Sequence, residues 1–429
     1  SRSMEAPYVL LDKPKVLVIG AGGGRDIFMA KSHEAAEIMG AEINPGIVKE
    51  MSPGGRLYDY SGRIYTSDQT KVYLTDGRHL IKKIPKNSVD LIVLNGVDTF
   101  SGLSSGAYAY AESYLYTKDA FRDYLSVLKD NGIINLNRWF YLDMPLEDLR
   151  LHAIALQALK ESGAQRPWDH IIIGATKEDA ASIILVKKSP FTPEETEKIY
   201  KYFEDHSTWR LYPAPEELKA KPEPVVNFQL YTNYFKEKNQ NYFAYKYPYD
   251  ISVITDDNPF FYKYYKLNAF NPFKVVAQHH TGPVIFLSQL VVFAQSLIFI
   301  VIFILLPLFI FKKNDIKNFP EKTVGPFVVY FGCLGAGYMF IEISSMQRFV
   351  LLLGSPIYSL TVVLSGLLIA TGLGSMSLPK LEKYFRTRTD LMTVAALTLM
   401  AYAVAAVFLG TRVFDCLMAY SFWIRILAV

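Results

Sequence analysis

The chain changes character about two thirds of the way along its length. Up to about residue 278, short β-branched runs are separated by stretches in which apolar residues recur at helical spacing. From Gly282 onward, long apolar runs dominate. A bilayer core of about 30 Å needs about 20 apolar residues in helical form, so these runs are long enough to cross a membrane. The pattern predicts a soluble part followed by an all-α, multi-pass membrane part.

Seven short apolar runs in the soluble part are predicted to be strands. They are 15–19, 37–43, a short run that ends before Thr75, 89–94, 132–136, 170–173 and 182–186. Helical spacing occurs in 118–129 and 145–161, and 192–195 has the cap, proline and acids of a helix start. Strands that alternate with helices favour a doubly wound α/β sheet.

The membrane part is predicted to contain four spans and the start of a fifth. The spans are 283–311, 324–346, 357–378 and 391–409, and 413–429 is the start of the fifth. Glu342 lies within the second span, where a carboxylate is costly unless it faces protein or water. Two interpretations stay open: a structural ion pair with Arg348 near the membrane interface, and a transport function.

Composition changes this picture little. The formal net charge of +4 averages over two unlike parts, and nucleic acid is not an expected partner. Cys333 and Cys416 both lie in apolar runs, so we expect no disulfide framework and no metal site. The predicted domain limits are 1–190 for the sheet domain, 191–278 for an accessory segment that completes it, and 279–429 for the membrane domain.

A glycine-rich turn follows the first predicted strand. Gly20, Gly22 and Gly24 stand at alternate positions, and a helix-compatible stretch comes directly after them. Strand, glycine turn and helix together let backbone N–H groups approach a ligand. A dinucleotide fingerprint would need its third glycine at position 25, which is Arg25. The spacing found here is more usual for ligands of the adenosylmethionine type.

Polar residues follow the next predicted strands, where open parallel sheets bind their ligands. Glu42 comes about 20 residues after the glycines, where an acid can bind both ribose hydroxyls. Asp76 follows the third strand and can accept a hydrogen bond from an adenine amino group. Asn95 and Asp98 follow the fourth.

These motifs resemble those of a known family. In order they are VLVIGAGGGRDI, GAEINPGIV, TDGRHL, VDLIVLNGVD and LYTKDAFRDYLSVLKDNGIINLNRW. They are similar to the successive motifs of the spermidine synthase (polyamine aminopropyltransferase) family, within the class I methyltransferase-like superfamily. The segments TDDNPFFY and GYMFIEISSMQRFVLLLGSPIYSL resemble the membrane-fused branch of that family. The resemblance implies a Rossmann-like methyltransferase fold with a seven-stranded sheet.

The resemblance also implies roles for single residues. Gly20, Gly22 and Gly24 would cradle the methionine-derived part of the cofactor, which is S-adenosylmethionine or its decarboxylated form. Glu42 would bind ribose, and Asp76 with Gly77 would contact adenine.

The chain departs from the family pattern at the proton-accepting position. Soluble members have an Asp where this chain has Asn95, and an amide cannot act as a general base near neutral pH. Asp98 is retained and could bind a substrate ammonium or take over the base role. The β-hairpin that covers the site in soluble members has no counterpart, and its place could be taken by part of a Tyr-rich stretch. The candidate residues are Tyr108, Tyr110, Glu112 and Tyr114.

Three functions follow as hypotheses. The first is a membrane-anchored enzyme that transfers an aminopropyl or methyl group to an amine-bearing or lipid-soluble acceptor. The second is a catalytically inactive pseudoenzyme that serves as a structural subunit of a membrane complex. The third, a transporter, rests on Glu342 and the number of spans.

The expected location is a bacterial inner membrane, and the side of the soluble part stays open. Loops after the first and third spans are rich in lysine and arginine, which places them in the cytoplasm and the soluble part outside. An adenosyl cofactor is made in the cytoplasm, which favours the opposite orientation. The lipid bilayer is the expected partner, together with membrane-complex subunits or further copies of the chain.

Overall fold

The computed structural model describes residues 2–97, 112–140, 145–176, 181–213, 247, 249–264, 266, 281–311, 321–354, 356–385, 387–418 and 420–428. The chain divides into two compact units, Ser1–Leu306 and Pro307–Val429. This boundary falls inside the first predicted span. The domain limits at 190 and 278 stay predictions.

A mostly parallel sheet of eight strands forms the centre of the first unit, in the order β3-β2-β1-β4-β5-β7-β6-β8. The strands are β1 Lys15–Ile19, β2 Glu37–Glu42, β3 Thr70–Leu74, β4 Val89–Asn95, β5 Leu128–Trp139, β6 Ile171–Thr176, β7 Ala181–Lys187 and β8 Thr208–Tyr212. Neighbours from β3 to β5 run parallel, whereas β7 is antiparallel to both β5 and β6. The predicted Rossmann-like arrangement is confirmed.

The predicted number of seven strands is wrong, because β8 adds an eighth at the edge of the sheet next to β6. Its sequence, TWRLY, buries Thr208 and Leu211 but does not alternate strictly between buried and exposed positions. An edge strand with an irregular register lacks the period-two pattern by which strands are recognised in sequence.

Helices cover both faces of the sheet. They are α1 Arg25–Ser32, α2 Pro45–Met51, α3 Gly77–Ile81, α4 Lys118–Val127, α5 Leu146–Glu161 and α6 Pro193–Asp205. One face packs against α1, α6 and the 3-10 helix Arg2–Leu10, and the other packs against α4 and α5. Because both faces are buried, the central strands are continuously apolar. α6 begins where the cap, proline and acids predict a helix start, and the structure adds a capping box between Thr192 and Glu195.

The segment from Asp250 to Tyr264 is fastened to α5 by one side chain. Arg150 is only 1% exposed and donates hydrogen bonds to four backbone carbonyls of this segment. They belong to Asp250, Phe260, Phe261 and Lys263. The guanidinium carbon also lies 4.6 Å from the ring centre of Tyr264. Since an arginine carries five fixed N–H donors, one side chain can hold several carbonyls of an irregular segment.

Apolar helices follow the sheet domain in sequence. The first unit contains Thr281–Ile300, which continues as a π-helical turn, Val301–Leu305. The second contains Glu321–Leu353, Pro356–Leu381, Arg388–Met418 and Phe422–Ala428. By length and composition, two helices of the described chain could cross a membrane, at Gly325–Phe349 and Ile357–Tyr384. The larger number of spans stays a prediction.

Candidate functional site

Most of the predicted ligand-binding residues gather at one edge of the sheet. Parallel neighbours have their carboxyl ends at the same edge, and β1 to β4 are parallel neighbours. Chain order reverses on either side of β1, which lies between β2 and β4. Ligands of open α/β sheets bind in the crevice at such a switch point. Glycines of the turn, Glu42, Asp76 and Asn95 all lie at or just beyond these strand ends.

The glycine turn has a fixed backbone. Gly20 N–H donates to the carbonyl of Ala41 at 2.8 Å, which ties the turn to the end of β2. Gly20, Gly22 and Gly24 have φ angles of +76°, +50° and +85°. A Cβ at Gly24 would also lie 2.7 Å from Ile64, so that position excludes a side chain by conformation and by contact.

Glu42 holds the turn from the end of β2. Its carboxylate accepts the backbone N–H of Gly22 at 2.8 Å through one oxygen and that of Asn44 at 2.8 Å through the other. The side chain is buried, with 6% exposed. A carboxylate has about four lone-pair sites, so about two acceptor positions remain after the hydrogen bonds of the described residues are counted. Tyr65 adds a hydroxyl hydrogen bond to the carbonyl of Gly22 at 2.5 Å.

Asp76 is the N-cap of α3 and accepts the backbone N–H of His79 at 3.1 Å. Burial raises the pKa of this carboxyl, and the neighbouring backbone N–H groups act in the opposite direction. Gly77 lets α3 begin against β1, since a Cβ there would lie 2.5 Å from Ile19. These contacts give Asp76 and Gly77 each a structural role at the start of α3. The contact of both residues with adenine stays a prediction.

Two exposed apolar side chains flank the acids and were not predicted as site residues. Ile43 directly follows Glu42 and is 43% exposed, and Leu74 ends β3 and is 54% exposed. The available signal was their position at the carboxyl ends of β2 and β3, where open parallel sheets bind their ligands. Both offer apolar surface next to the predicted ribose and adenine contacts.

Asn95 ends β4 and forms a buried pair with Asp26 of α1. Its Nδ2 donates to Asp26 Oδ1 at 2.9 Å, and the two residues are 9% and 6% exposed. Because a carboxylate only accepts, the amide nitrogen must face Asp26. The Asn95 Oδ1 is buried without a hydrogen-bond partner in the described part of the chain. Burial raises the pKa of Asp26, and the hydrogen bond from Asn95 opposes that shift.

Asp26 was also missed by sequence reasoning. It is an acid in the first turn of the helix that follows the glycines, which is the available signal. Arg25 Nε lies 3.6 Å from the same carboxylate oxygen and is largely exposed.

Other predicted site residues lie partly outside the described chain. Asp98, Tyr108 and Tyr110 fall in the range 98–111, which is not described. Tyr114 and Glu112 are described, and the hydroxyl of Tyr114 donates to the Glu112 carboxylate at 3.2 Å. Burial raises the pKa of Tyr114. A pocket role for this stretch stays a prediction.

Arg78 links three of the motifs on which the family resemblance rests. It is 1% exposed and pairs with Asp123 at 2.7 Å and Asp256 at 2.6 Å. The hydroxyl of Thr117 donates to the same Asp256 oxygen at 2.6 Å. The start of α3, which carries Asp76, is thereby fixed to the segment at 250–264.

A second buried arginine extends this support beyond β4. Arg138, near the end of β5, pairs with Glu147 at 2.6 Å and donates to the hydroxyl of Tyr262 at 2.8 Å. Its guanidinium carbon lies 5.0 Å from the ring centre of Tyr116. The same irregular segment is thus held from β5 as well as from α3.

Comparisons with known proteins identify no family by sequence. No family model matches the chain, and no curated protein matches it.

Among the described residues, no three His, Cys, Asp or Glu side chains are grouped closely enough to hold a metal ion.

Solved structures with partial likeness include two spermidine synthases and a methyltransferase. The spermidine synthase from Thermotoga maritima is 16% identical over 51% of this chain and 71% of its own, with a TM-score of 0.34. Human methyltransferase-like protein 13 in complex with SAH is 18% identical over 48% and 89%, with a TM-score of 0.34. A probable spermidine synthase from Corynebacterium glutamicum is 15% identical over 48% and 71%, with a TM-score of 0.34. In the first unit, the strand order and the strand directions are those of a Rossmann-like, class I methyltransferase-like fold. This assignment rests on the sheet itself and not on these likenesses.

Proposed function

We propose that the chain binds a ligand of the S-adenosylmethionine type at the carboxyl ends of β1 to β4. The observation that carries this proposal is the hydrogen bond from Gly22 N–H to the Glu42 carboxylate. It joins the glycine turn to the acid expected to bind ribose, so the two recognition elements are preorganised relative to each other. Preorganised groups bind without a further ordering cost.

The surrounding side chains suit an adenosyl group. Glu42 retains acceptor positions for ribose hydroxyls, because backbone N–H groups of the described residues use two of its roughly four lone-pair sites. Ile43 and Leu74 expose apolar surface on which a purine ring can lie. Asp76 is partly exposed and can accept an amino-group hydrogen bond.

The reaction supported by this ligand is group transfer to an amine. A sulfonium ligand supplies an electrophilic carbon: the amine nitrogen forms a bond to it, the C–S electron pair remains on sulfur, and the amine loses a proton. A nearby base must accept that proton. Asp98 is the residue proposed for this role, and Asn95 cannot fill it. The transferred group is aminopropyl or methyl.

Asn95 favours a second candidate, a pseudoenzyme that binds the ligand as a structural subunit of a membrane complex. The amide hydrogen-bonds Asp26 at 2.9 Å, so it has a structural partner of its own. A carboxylate at that position would face the Asp26 carboxylate at hydrogen-bond distance. Ionising both groups would cost free energy, because like charges repel. The pair is therefore compatible with a site that no longer needs a base on β4.

Membrane anchoring is proposed from the apolar helices. Large apolar side chains on them are exposed, among them Phe340 at 72%, Leu368 at 61% and Phe408 at 74%. Many exposed apolar side chains on such helices are costly in water, so we expect them to be covered by lipid or by other membrane subunits. The orientation of the soluble part stays open.

The test of ligand binding is calorimetric titration of the full chain in detergent micelles. S-adenosylmethionine, its decarboxylated form and methylthioadenosine are titrated into the parent, Glu42→Ala and a control, Glu197→Ala. Glu197 is an exposed residue of α6. Binding that is lost in Glu42→Ala and kept in the control is expected, and binding unchanged by Glu42→Ala contradicts the proposed site.

Catalysis is tested separately by mass spectrometry. The parent and Asp98→Asn are incubated with each sulfonium ligand and an amine mixture. A transferase yields methylthioadenosine with an aminopropylated amine, or adenosylhomocysteine with a methylated amine, and Asp98→Asn abolishes the product. Binding without product from either ligand favours the pseudoenzyme.

A further inference from the structure

We propose that one end of the second unit lies in the headgroup layer of a phospholipid bilayer, with aromatic side chains making the contact. This aromatic end consists of the turn at Gly354 and the short helix Phe422–Ala428. Its contact residues are Tyr358, Tyr420 and Trp423. The inference rests on the membrane anchoring proposed above and specifies where the chain meets the polar surface of the bilayer.

The turn and the short helix are packed together. The guanidinium of Arg425 is buried, with 4% exposed, and donates to the carbonyl of Leu352 at 2.5 Å. Leu352 lies in the last turn of its helix, where carbonyls lack partners within the helix and a cation is favourable. The rings of Phe422 and Tyr358 have their centres 5.2 Å apart. Three helices therefore meet at the aromatic end, and its side chains have fixed positions.

Exposed aromatic side chains with a polar group are gathered on this packed end. Tyr358 and Tyr420 are each 51% exposed, and Trp423 is 73% exposed. Tyrosine and tryptophan are enriched where a bilayer meets water, because each has an apolar ring and a hydrogen-bonding group. Hydrocarbon would leave the polar groups without partners, and bulk water would leave the rings uncovered. The headgroup layer suits both parts of these side chains.

The backbone at the turn favours the same depth. Gly354 has a φ angle of +76°, a left-handed conformation that ends one helix, and the next helix begins at Pro356. Such a break leaves N–H and C=O groups without partners inside either helix. Hydrocarbon cannot supply those partners, so a break between two spanning helices belongs at the polar edge of a bilayer unless protein covers it.

The length of the helix after the turn fits this placement. Pro356–Leu381 carries no formal charge before Lys380. The stretch from Tyr358 to Lys380 measures about 33 Å at about 1.5 Å per residue, close to the hydrocarbon thickness of about 30 Å. Tyr384 follows and is 84% exposed. A cation and an exposed tyrosine thus mark the opposite interface, one bilayer thickness from the aromatic end.

The experiment measures the depth of Trp423 in phosphatidylcholine vesicles that contain the full chain. Bromines, which quench tryptophan fluorescence on contact, are placed either near the glycerol end or near the methyl end of the acyl chains. Iodide in the buffer reports exposure to water. Since the sequence has 4 tryptophans, the signal of Trp423 is the difference between the parent and Trp423→Phe.

The control is Leu368→Trp in the Trp423→Phe background. Leu368 lies near the middle of Pro356–Leu381 and is 61% exposed. Trp423 is expected to lose most fluorescence to bromines near the glycerol end, whereas the control variant loses most to bromines near the methyl end. Circular dichroism of the reconstituted variants checks that the helices form. Should Trp423→Phe not insert, Trp423→Tyr is expected to give the same difference.

Other results overturn the inference in distinct ways. Strongest quenching of Trp423 by bromines near the methyl end would place the aromatic end inside the hydrocarbon. Quenching of Trp423 by iodide alone means that this end projects into water, and quenching by neither agent means that protein covers it. In both cases the control variant still reports helices in the bilayer. Absence of bromine quenching for Trp423 and the control variant alike overturns the membrane anchoring and this inference together.

Discussion

The guanidinium of Arg78 lies 2.6 Å from the carboxylate of Asp256, a residue 178 positions later in the chain. Asp123 accepts from the same guanidinium at 2.7 Å, so two carboxylates share one buried cation. The pKa of Arg78 is raised. Burial is the largest single contribution and lowers this pKa, but the combined attraction of the two carboxylates outweighs it. The ion pairs fix α3, and with it Asp76, to the segment at 250–264.

Removing the charge of Arg78 should strongly destabilise the sheet of the first unit. Arg78→Met leaves Asp123 and Asp256 without their shared cation, and breaking a buried pair in this way costs about 3–5 kcal/mol. The melting temperature of the full chain in detergent, followed by circular dichroism, measures the effect. The matched control is Arg63→Met, because the Arg63 and Asp59 side chains are 67% and 79% exposed and such a pair contributes about 1 kcal/mol or less. Equal losses in both variants would contradict the assigned role.

Tyr65 should support ligand binding through the glycine turn. Its hydroxyl donates to the carbonyl of Gly22 at 2.5 Å, so Tyr65→Phe removes a hydrogen bond from the turn itself. One such bond contributes about 1 kcal/mol, which predicts about fivefold weaker binding of S-adenosylmethionine. Calorimetry measures this, with Tyr60→Phe as the control, since Tyr60 is 90% exposed. Undiminished affinity in Tyr65→Phe would show that the turn does not need this bond.

Stability should depend on pH through Asp148. This residue of α5 is fully buried, accepts a hydrogen bond from the hydroxyl of Ser182, and burial raises its pKa to about 8. Between the ordinary aspartate pKa of about 4 and the folded-state value, the folded chain holds a proton that the unfolded chain releases. Stability therefore falls as pH rises through this window, by up to about 1.4 kcal/mol per pH unit, and levels off above it.

The variant Asp148→Asn removes this titration. From pH 5 to pH 8 the melting temperature of the parent should fall relative to that of the variant, measured in one buffer series. Asp130→Asn serves as the control, because this exposed carboxylate should leave the pH dependence of the parent unchanged. Parallel curves for the parent and Asp148→Asn would mean that Asp148 is ionised throughout the window.

The parts of the fold that were predicted correctly are those encoded by local patterns. β1 was predicted with its observed bounds, Lys15–Ile19, because a β-branched run ends at a glycine turn there. The start of α6 follows from a cap and the acids after it. By contrast, β5 runs from Leu128 to Trp139, well beyond the predicted 132–136, since its ends are polar and pair with neighbours that sequence does not reveal.

The parts that were not predicted depend on contacts between distant residues. Asp26 and Asn95 are 69 positions apart, and only the parallel pairing of β1 with β4 brings them together. Likewise, nothing local distinguishes Arg78 from a surface arginine after a strand. The sequence could identify residue types suited to a site, but their hydrogen-bond partners could be identified only once the sheet order was known.

The most direct test of the adenosyl site is an experimental structure of the full chain with adenosylhomocysteine bound. The account predicts ribose hydroxyls within hydrogen-bond distance of the Glu42 carboxylate and the amino-acid part of the ligand along the turn from Gly20 to Gly24. Ligand density at another location, or none at a concentration that saturates binding, would contradict the central claim.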